Sequence, residues 1–326
     1  MRSIRAHAHR ILTSTSAIDQ AEFTRAHRGP RSANDKSLPA PLGDLHSIAR
    51  IGVARRVLFG KVRTWRGPYP RVTDAYEETM TTNRVVQQAF AYSEEQNSSP
   101  TLTRQLLEEG SVAALAAIDS PGMRMLTESE RSASLRETLA ARPAGDIWVF
   151  GYGSLIWNAA IDAVERRVAR VDGWHRSFCL SITALRATAD RPGLMLALDR
   201  GGSCHGAAYR LAEANIEREL QLLWRREMVC GAYVPRWVDL KGISGEAIGS
   251  AIAFTIDTTV PQYAGHLEHD VVVRKLATAS GTLGSARDYL FRTCEGLRAS
   301  GLRDAALEHL AASVRIVHAD GLLSVA

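Results

Sequence analysis

Two stretches of the sequence carry residue types that could do chemistry, and the first is DIWVFGYGSLIWN. Its apolar run opens at Gly151 into Tyr152, Gly153 and Ser154. Glycines at a strand end allow a sharp turn with unobstructed backbone N–H groups, which can bind a carboxylate or an oxyanion. Tyr152 and Ser154 could add side-chain hydrogen bonds to a small polar ligand. The same pattern is equally typical of a turn that packs closely against a neighbouring strand, and spacing alone does not separate the two interpretations.

Two other uses of this glycine turn do not fit the spacing. A dinucleotide-binding turn needs G-x-G-x-x-G, but Ile156 occupies the third glycine position. A serine nucleophile elbow needs G-x-S-x-G, and around Ser154 both glycine positions are filled by other residues, Tyr152 and Ile156. The turn is therefore predicted to act through its backbone or to serve packing.

The second stretch is EANIERELQLLWRREMVCGAY, which contains Glu227. Ile216, Leu220 and Leu223 form an apolar stripe with helical spacing, and Glu227 is its next member. Burial along this face and the negative end of the helix dipole are both expected to raise the pKa of the carboxyl. A raised pKa suits a general base at neutral pH. The alternative is that the face rotates outward here, leaving Glu227 solvated or paired with a neighbouring arginine.

The elements around these residues predict an α+β fold. Strands cluster in the middle of the chain and helices gather at both ends, which favours a largely antiparallel sheet or partial barrel over alternating β-α units. Residues 127–130 have the pattern of a capping box, and residues 285–288 that of a helix N-cap. Residues 200–202, Arg-Gly-Gly between two strand-like segments, predict a hairpin turn.

Charge divides the chain into two unequal parts. Residues 1–71 hold 14 Lys and Arg against 4 Asp and Glu, whereas the remaining residues hold 26 against 31. The main part of the chain is mildly acidic, so we expect no nucleic-acid partner for it. Residues 1–97 are predicted to be a basic, disordered or dispensable segment, and residues 98–326 to form the domain.

The remaining compositional signals indicate a cytoplasmic protein without a metal. The four cysteines are widely spaced with no CxxC pair, which favours free thiols in a reducing cytosol. No apolar run approaches the roughly 20 residues needed to span a bilayer, so no membrane partner is expected. His266 and His269 lack a third ligand nearby and are more typical of a helix surface than of a metal site.

The chain from Ser99 to His318 resembles the ChaC family of γ-glutamylcyclotransferases, and in particular its bacterial branch. The resemblance rests on VFGYGSLIW, on the downstream RREM and GAY, and on RVDGWHRSFCL, HGAAYRL and GSARDYL in the expected order. The glycine-tyrosine-glycine-serine motif with a downstream glutamate is specific to that superfamily. One departure from some relatives concerns the pocket rim, where Met228, Val229 and Cys230 separate the glutamate from Gly231.

The resemblance implies a fold, a reaction and a set of site residues. The fold is the γ-glutamylcyclotransferase-like mixed β-barrel with flanking helices. The reaction converts glutathione to 5-oxoproline and cysteinylglycine without a cofactor, with Glu227 as the catalytic general acid and base. The substrate-binding residues implied are those of the glycine turn and the strand before it: Val149, Phe150, Gly151, Tyr152, Gly153 and Ser154. Action on other γ-glutamyl amines, or a non-catalytic regulator of the same fold that binds a ligand, remain the alternatives.

Overall fold

The computed structural model describes residues 101–323, with side chains described for residues 101–319. The predicted basic segment, residues 1–97, lies outside the described residues, and the domain boundary at residue 98 stays a prediction. Within the described part of the chain, no helix is both long and apolar enough to cross a membrane.

The centre of the fold is a closed five-stranded barrel. Its strands are β1 (Trp148–Gly151), β2 (Glu165–Ile182), β3 (Gly193–Arg210), β4 (Tyr233–Lys241) and β5 (Ala247–Ile256). The order around the barrel is β1-β3-β2-β4-β5, and it closes by parallel pairing of β1 with β5. Neighbours elsewhere along this order are antiparallel. The predicted α+β class with a largely antiparallel barrel is therefore confirmed.

Helices flank the barrel on the N-terminal side, between the strands and on the C-terminal side. They are α1 (Arg104–Glu108), α2 (Ser111–Asp119), α3 (Glu128–Ala140), α4 (Ile216–Glu227), α5 (His269–Thr278), α6 (Ala286–Ala299) and α7 (Ala305–Leu323). A 3-10 turn, Ser154–Ile156, follows β1 directly. A two-stranded hairpin, β6 (Ser280–Gly281) with β7 (Gly284–Ser285), separates α5 from α6.

The predicted helix starts are confirmed by their caps. The Thr127 hydroxyl accepts the Glu130 N–H at 3.2 Å, and the Glu130 carboxylate accepts the Thr127 N–H at 2.8 Å, which is a reciprocal capping box. The Ser285 hydroxyl accepts the Asp288 N–H at 3.1 Å at the start of α6.

The predicted hairpin turn at residues 200–202 is wrong. β3 is one continuous strand through this region, paired with β2 on both sides of it, Trp174 with Arg200 and Asp172 with Ser203. Two glycines, Gly201 and Gly202, therefore stand opposite one residue of β2, which is a β-bulge. Their φ values of 97° and 66° are left-handed. The glycines bend a long strand around the barrel instead of reversing the chain.

The apolar stripe of α4 packs against the barrel as its spacing predicts. Ile216, Leu220 and Leu223 are buried. The Trp224 ring meets the Phe254 ring of β5 edge to face, with centroids 5.2 Å apart. This packing fixes the rotation of α4 and thereby the direction of the residues in its last turn.

Two carboxylates attach the helices that precede the barrel. Glu219 of α4 is buried and accepts two hydrogen bonds of 2.7 Å from the Arg104 guanidinium of α1. Asp119, at the end of α2, accepts the backbone N–H groups of Leu185 and Thr282. α1 is thus held against α4, and α2 against the loop that follows β2 and the β6–β7 hairpin.

Candidate active site

A cavity of about 340 Å³ lies between the end of α4, the turn after β1, the loop after β2 and α6. Its polar wall includes Ser154, Arg186, Arg226, Glu227 and Tyr289. Apolar side chains complete it, among them residues from the segment that precedes the barrel, Leu102, Ala116 and Met123. Its size is within the usual range for a site that encloses a small molecule, about 300–1,000 Å³.

Glu227 is the last residue of α4 and lies on the wall of this cavity. Its side chain is only 15% exposed, and one carboxylate oxygen is 3.0 Å from Nε of Arg226. Burial raises the pKa of the Glu227 carboxyl above its usual value, and the charge and hydrogen bond of Arg226 oppose that rise. The predicted direction is confirmed. The arginine pairing raised as an alternative is also present, but within a buried site rather than in solvent.

Arg226 is held in place by three contacts besides Glu227. Its guanidinium donates to the carbonyl oxygens of Asn158 at 2.6 Å and Ala159 at 3.2 Å, and to the Ser154 hydroxyl at 2.8 Å. These bonds join the end of α4 to the turn after β1. Arg226 therefore fixes the position of the Glu227 carboxylate relative to Ser154.

The polar groups of Tyr152 are used inside the barrel. Its side chain is 6% exposed, and its hydroxyl donates to the Phe254 carbonyl at 2.7 Å. Its own carbonyl accepts from the Arg176 guanidinium at 2.7 Å. The Tyr233 hydroxyl, which donates to the Leu196 carbonyl at 3.0 Å, also lies within hydrogen-bond reach of the Tyr152 hydroxyl. These contacts fasten the turn to β2, β4 and β5.

Gly153 is required by a close approach. A Cβ added to Gly153 would collide with the hydroxyl of Tyr289 in α6. The φ of Gly153 is −131°, outside the left-handed region, so a positive φ is not the reason for this glycine. The backbone N–H of Ser154 lies within reach of the Tyr289 hydroxyl oxygen and opposes the rise in its pKa. The turn thus acts on Tyr289, whose side chain lines the cavity.

The structure brings two of the predicted site residues to the cavity, Glu227 and Ser154. The others form the barrel wall behind it: Val149, Phe150, Gly151, Tyr152 and Gly153 do not line the cavity, and Val149 and Phe150 are fully buried. Direct contact of these five residues with a substrate stays a prediction. The departure noted at the pocket rim has a structural counterpart, because Val229 and Cys230 line the cavity.

Sequence reasoning assigned no role to Arg186 or Tyr289. Tyr289 lies within GSARDYL, one of the motifs of the resemblance, but no local pattern marks it as a wall residue. Arg186 lies in the loop between β2 and β3, where an arginine has no periodicity to distinguish it. Both reach the cavity through tertiary packing alone.

Within the described residues, no group of three or more His, Cys, Asp or Glu is placed to hold a metal ion. The predicted surface character of His269 fits its contacts: its ring packs on that of His309 with centroids 5.1 Å apart, and its Nε2 lies 3.1 Å from the Ser313 hydroxyl. The reaction implied by the resemblance needs only acid-base chemistry and positioning, which side chains of the cavity can supply.

The barrel, the buried glutamate and the glycine turn beside the cavity agree with the fold and the site that the resemblance implies. The family follows from sequence comparison. The family described as ChaC-like protein matches residues 147–317. The chain belongs to this family. Residues 101–146, with α1 to α3, lie outside the match and still supply part of the cavity wall.

The chain is also similar to curated proteins. The glutathione-specific γ-glutamylcyclotransferase of Escherichia coli (strain K12) is 46% identical over 187 residues, which cover 57% of this chain and 80% of that protein. Glutathione-specific γ-glutamylcyclotransferase 1 of Mus musculus is 30% identical over 175 residues, 52% of this chain and 78% of that protein. A crystal structure of the γ-glutamyl cyclotransferase specific to glutathione from yeast aligns with a TM-score of 0.47 and 21% identity, covering 52% of this chain and 96% of that one.

Proposed function

We propose that the chain is a glutathione-specific γ-glutamylcyclotransferase that releases 5-oxoproline and cysteinylglycine. The observation that carries the proposal is the Glu227 carboxyl, buried with a raised pKa on the wall of a cavity of about 340 Å³. Membership of the ChaC-like family and the names of its relatives support glutathione as the substrate.

The first step needs a base at the α-nitrogen. The γ-glutamyl α-amine is protonated at neutral pH, and Glu227 accepts a proton so that the free amine can attack the γ-carbonyl carbon of the same residue. A carbon–nitrogen bond then closes a five-membered ring, and the carbonyl oxygen gains negative charge. Enclosure in a cavity favours this intramolecular attack, because it holds the substrate folded back on itself.

The second step needs an acid at the departing nitrogen. As the γ-amide bond breaks, the amine of cysteinylglycine must be protonated, and Glu227 returns the proton it took. In total two protons leave the α-nitrogen and two arrive at the departing nitrogen, so the carboxylate is regenerated and neither water nor a cofactor is consumed. A pKa raised toward neutrality suits a group that both takes and gives a proton.

The developing oxyanion needs a hydrogen-bond donor, and Tyr289 is suited to that role. Burial raises the pKa of its phenol, which keeps the hydroxyl protonated and able to donate. The Ser154 N–H lies within reach of its oxygen, and a phenol that accepts one hydrogen bond donates a stronger one. The glycine turn thus acts on the substrate in part through Tyr289.

We also propose a reducing, cytoplasmic setting with no nucleic-acid or membrane partner. The support is that all four cysteines are free, three of them buried, and burial raises the pKa of the Cys179 thiol to about 12. Thiols of this kind need no oxidising compartment.

The test is product formation by the purified full chain. Glutathione, a γ-glutamyl amine without the cysteinylglycine portion, and buffer alone are incubated with the enzyme, and 5-oxoproline is quantified by chromatography. We expect 5-oxoproline and cysteinylglycine in equal amounts from glutathione only. Equal rates on both substrates would favour a broader cyclotransferase, and no product from either would favour a non-catalytic regulator.

A further inference from the structure

Arg186 is a buried arginine on the cavity wall whose contacts leave much of its hydrogen-bonding capacity unused. Its side chain is 5% exposed. One terminal nitrogen donates to the Ser285 carbonyl at 3.1 Å. The guanidinium carbon lies 5.8 Å from the Trp157 ring centroid and 5.7 Å from that of Tyr289. An arginine has five N–H donors in a planar fork, and a single carbonyl engages only one of them.

The charges around Arg186 do not neutralise it. Among the residues that the structure describes, no carboxylate forms an ion pair with its guanidinium. Burial and the positive charge of Arg292, with a smaller contribution from Arg226, lower the pKa of Arg186 to about 10, and Tyr289 and Asp288 oppose this only in part. Arg186 therefore remains cationic at neutral pH in a buried position, which is costly unless an anion shares the site.

We infer that Arg186 binds a carboxylate of the substrate, and specifically the C-terminal carboxylate of the glycine in glutathione. The inference rests on the proposed function for the identity of the substrate. The planar fork of a guanidinium matches a carboxylate in a bidentate arrangement, which a single lysine charge does not reproduce. Arg186 would then act as a residue that determines specificity for γ-glutamyl tripeptides with a free C-terminus.

The position of Glu227 decides between the two carboxylates of glutathione. The α-ammonium group must lie at Glu227 to lose its proton, and Arg226 already supplies the positive charge next to that carboxylate. A second buried guanidinium near the ammonium would repel it. Arg186 instead lies in the loop after β2 and bonds the Ser285 carbonyl, and the charge that acts on the Glu227 carboxyl is that of Arg226. The C-terminal carboxylate is the anion of the tripeptide farthest from the α-amine.

The experiment measures binding separately from turnover. Glutathione and its C-terminal amide are titrated by calorimetry into full-length Glu227→Gln protein and into the same protein carrying Arg186→Gln. With Arg186 present, we expect glutathione to bind at least roughly tenfold more tightly than the amide, the effect of one charged hydrogen-bond pair. Arg186→Gln should abolish this preference, because it should weaken the binding of glutathione and leave the binding of the amide unchanged. Glutamine keeps a donor for the Ser285 carbonyl, and circular dichroism checks the fold of each variant.

Two further variants keep the result interpretable. Arg292→Gln is the matched control, because Arg292 lies 5.3 Å from the same Trp157 ring but does not line the cavity, and it should retain the preference. Arg186→Lys keeps the charge but not the planar guanidinium, and it should retain only part of the preference for glutathione over the amide. This variant also provides a test if Arg186→Gln does not fold.

Three outcomes would overturn the role of Arg186. They are an unchanged preference in a folded Arg186→Gln protein, equal weakening of both ligands, and failure of glutathione and its amide to bind when Arg186 is present. The proposed reaction is judged separately. If the binding preference is observed but the protein with Glu227 intact forms no 5-oxoproline, the proposed reaction is refuted. The carboxylate site at Arg186 is then still supported.

Discussion

The glycine turn after β1 and the last turn of α4 meet at the same cavity but contribute differently to it. Most groups of the turn face the barrel: Tyr152 bonds the Phe254 carbonyl, and Gly153 makes room for Tyr289. The end of α4 instead presents two ionisable groups, Arg226 and Glu227, to the cavity. Arg226 joins the two regions by bonding both the Ser154 hydroxyl and the Glu227 carboxylate. The comparison indicates that the conspicuous motif shapes the site and that the helix end carries the proton chemistry.

The largest effect is expected at Glu227. Glu227→Gln keeps the shape of the side chain but cannot accept a proton, so kcat should fall by about 10²–10⁴-fold while glutathione binding is nearly unchanged. Steady-state rates of 5-oxoproline formation and a calorimetric Kd measure the two properties. Activity within threefold of the unsubstituted enzyme would remove Glu227 from the mechanism.

Gly153→Val should have the next largest effect. The valine Cβ would collide with the Tyr289 hydroxyl, so Tyr289 must move away from the Ser154 N–H and the cavity wall is deformed. We expect kcat/KM to fall by about two orders of magnitude, comparable to the loss of one oxyanion donor. A folded variant with near-normal kcat/KM would show that neither the turn nor Tyr289 takes part in catalysis.

Tyr152→Phe should affect stability rather than chemistry. The substitution leaves the buried Phe254 carbonyl without its hydroxyl donor, so the free energy of unfolding should fall by about 1–3 kcal/mol. Denaturant unfolding measures the loss, and KM for glutathione measured on the same sample should stay within twofold. A large rise in KM with unchanged stability would instead assign Tyr152 a direct contact with the substrate.

Ser154→Ala is expected to have the smallest effect on the rate. Alanine removes one hydrogen bond to Arg226, which retains the Asn158 and Ala159 carbonyls and the Glu227 carboxylate. A loss of about 0.5–1.5 kcal/mol corresponds to a roughly two- to twelvefold fall in kcat/KM. A loss as large as that of Glu227→Gln would mean that the Ser154 hydroxyl itself takes part in the reaction.

The features that local pattern could predict are those that depend on neighbouring residues in the chain. The stripe Ile216, Leu220, Leu223 predicted the direction of Glu227 because a helix repeats its faces at a fixed period. The capping box at Thr127 could be predicted in the same way, because Thr127 and Glu130, which form it, lie within one helical turn.

The features that pattern missed depend on packing between distant segments. Gly201 and Gly202 fit either a hairpin or a bulge, and only the pairing of β3 with β2 decides between them. The reason for Gly153 lies in Tyr289, 136 positions away in the sequence numbering. Arg186 becomes part of the site only because Ser285, Trp157 and Tyr289 surround it. No local rule contains these contacts.

The central claim is that Glu227 is the proton-transfer group and that Arg226 limits the rise of its pKa. Burial raises the pKa of Glu227 above its usual 4.5, and the charge and hydrogen bond of Arg226 hold it down. A base must be deprotonated to act, so kcat/KM rises with pH through that pKa. Replacing Arg226 with glutamine removes the charge, the larger of the two opposing influences, and should move the rise to higher pH, whereas Arg226→Lys, which keeps the charge, should move it less.

The measurement that tests this claim most directly is the pH dependence of kcat/KM for glutathione in the unsubstituted enzyme and in Arg226→Gln. We predict an acidic limb with an apparent pKa above 4.5 in the unsubstituted enzyme, and a further upward shift in the variant. An acidic limb at or below 4.5, or one that moves to lower pH when Arg226 is replaced, would contradict the account.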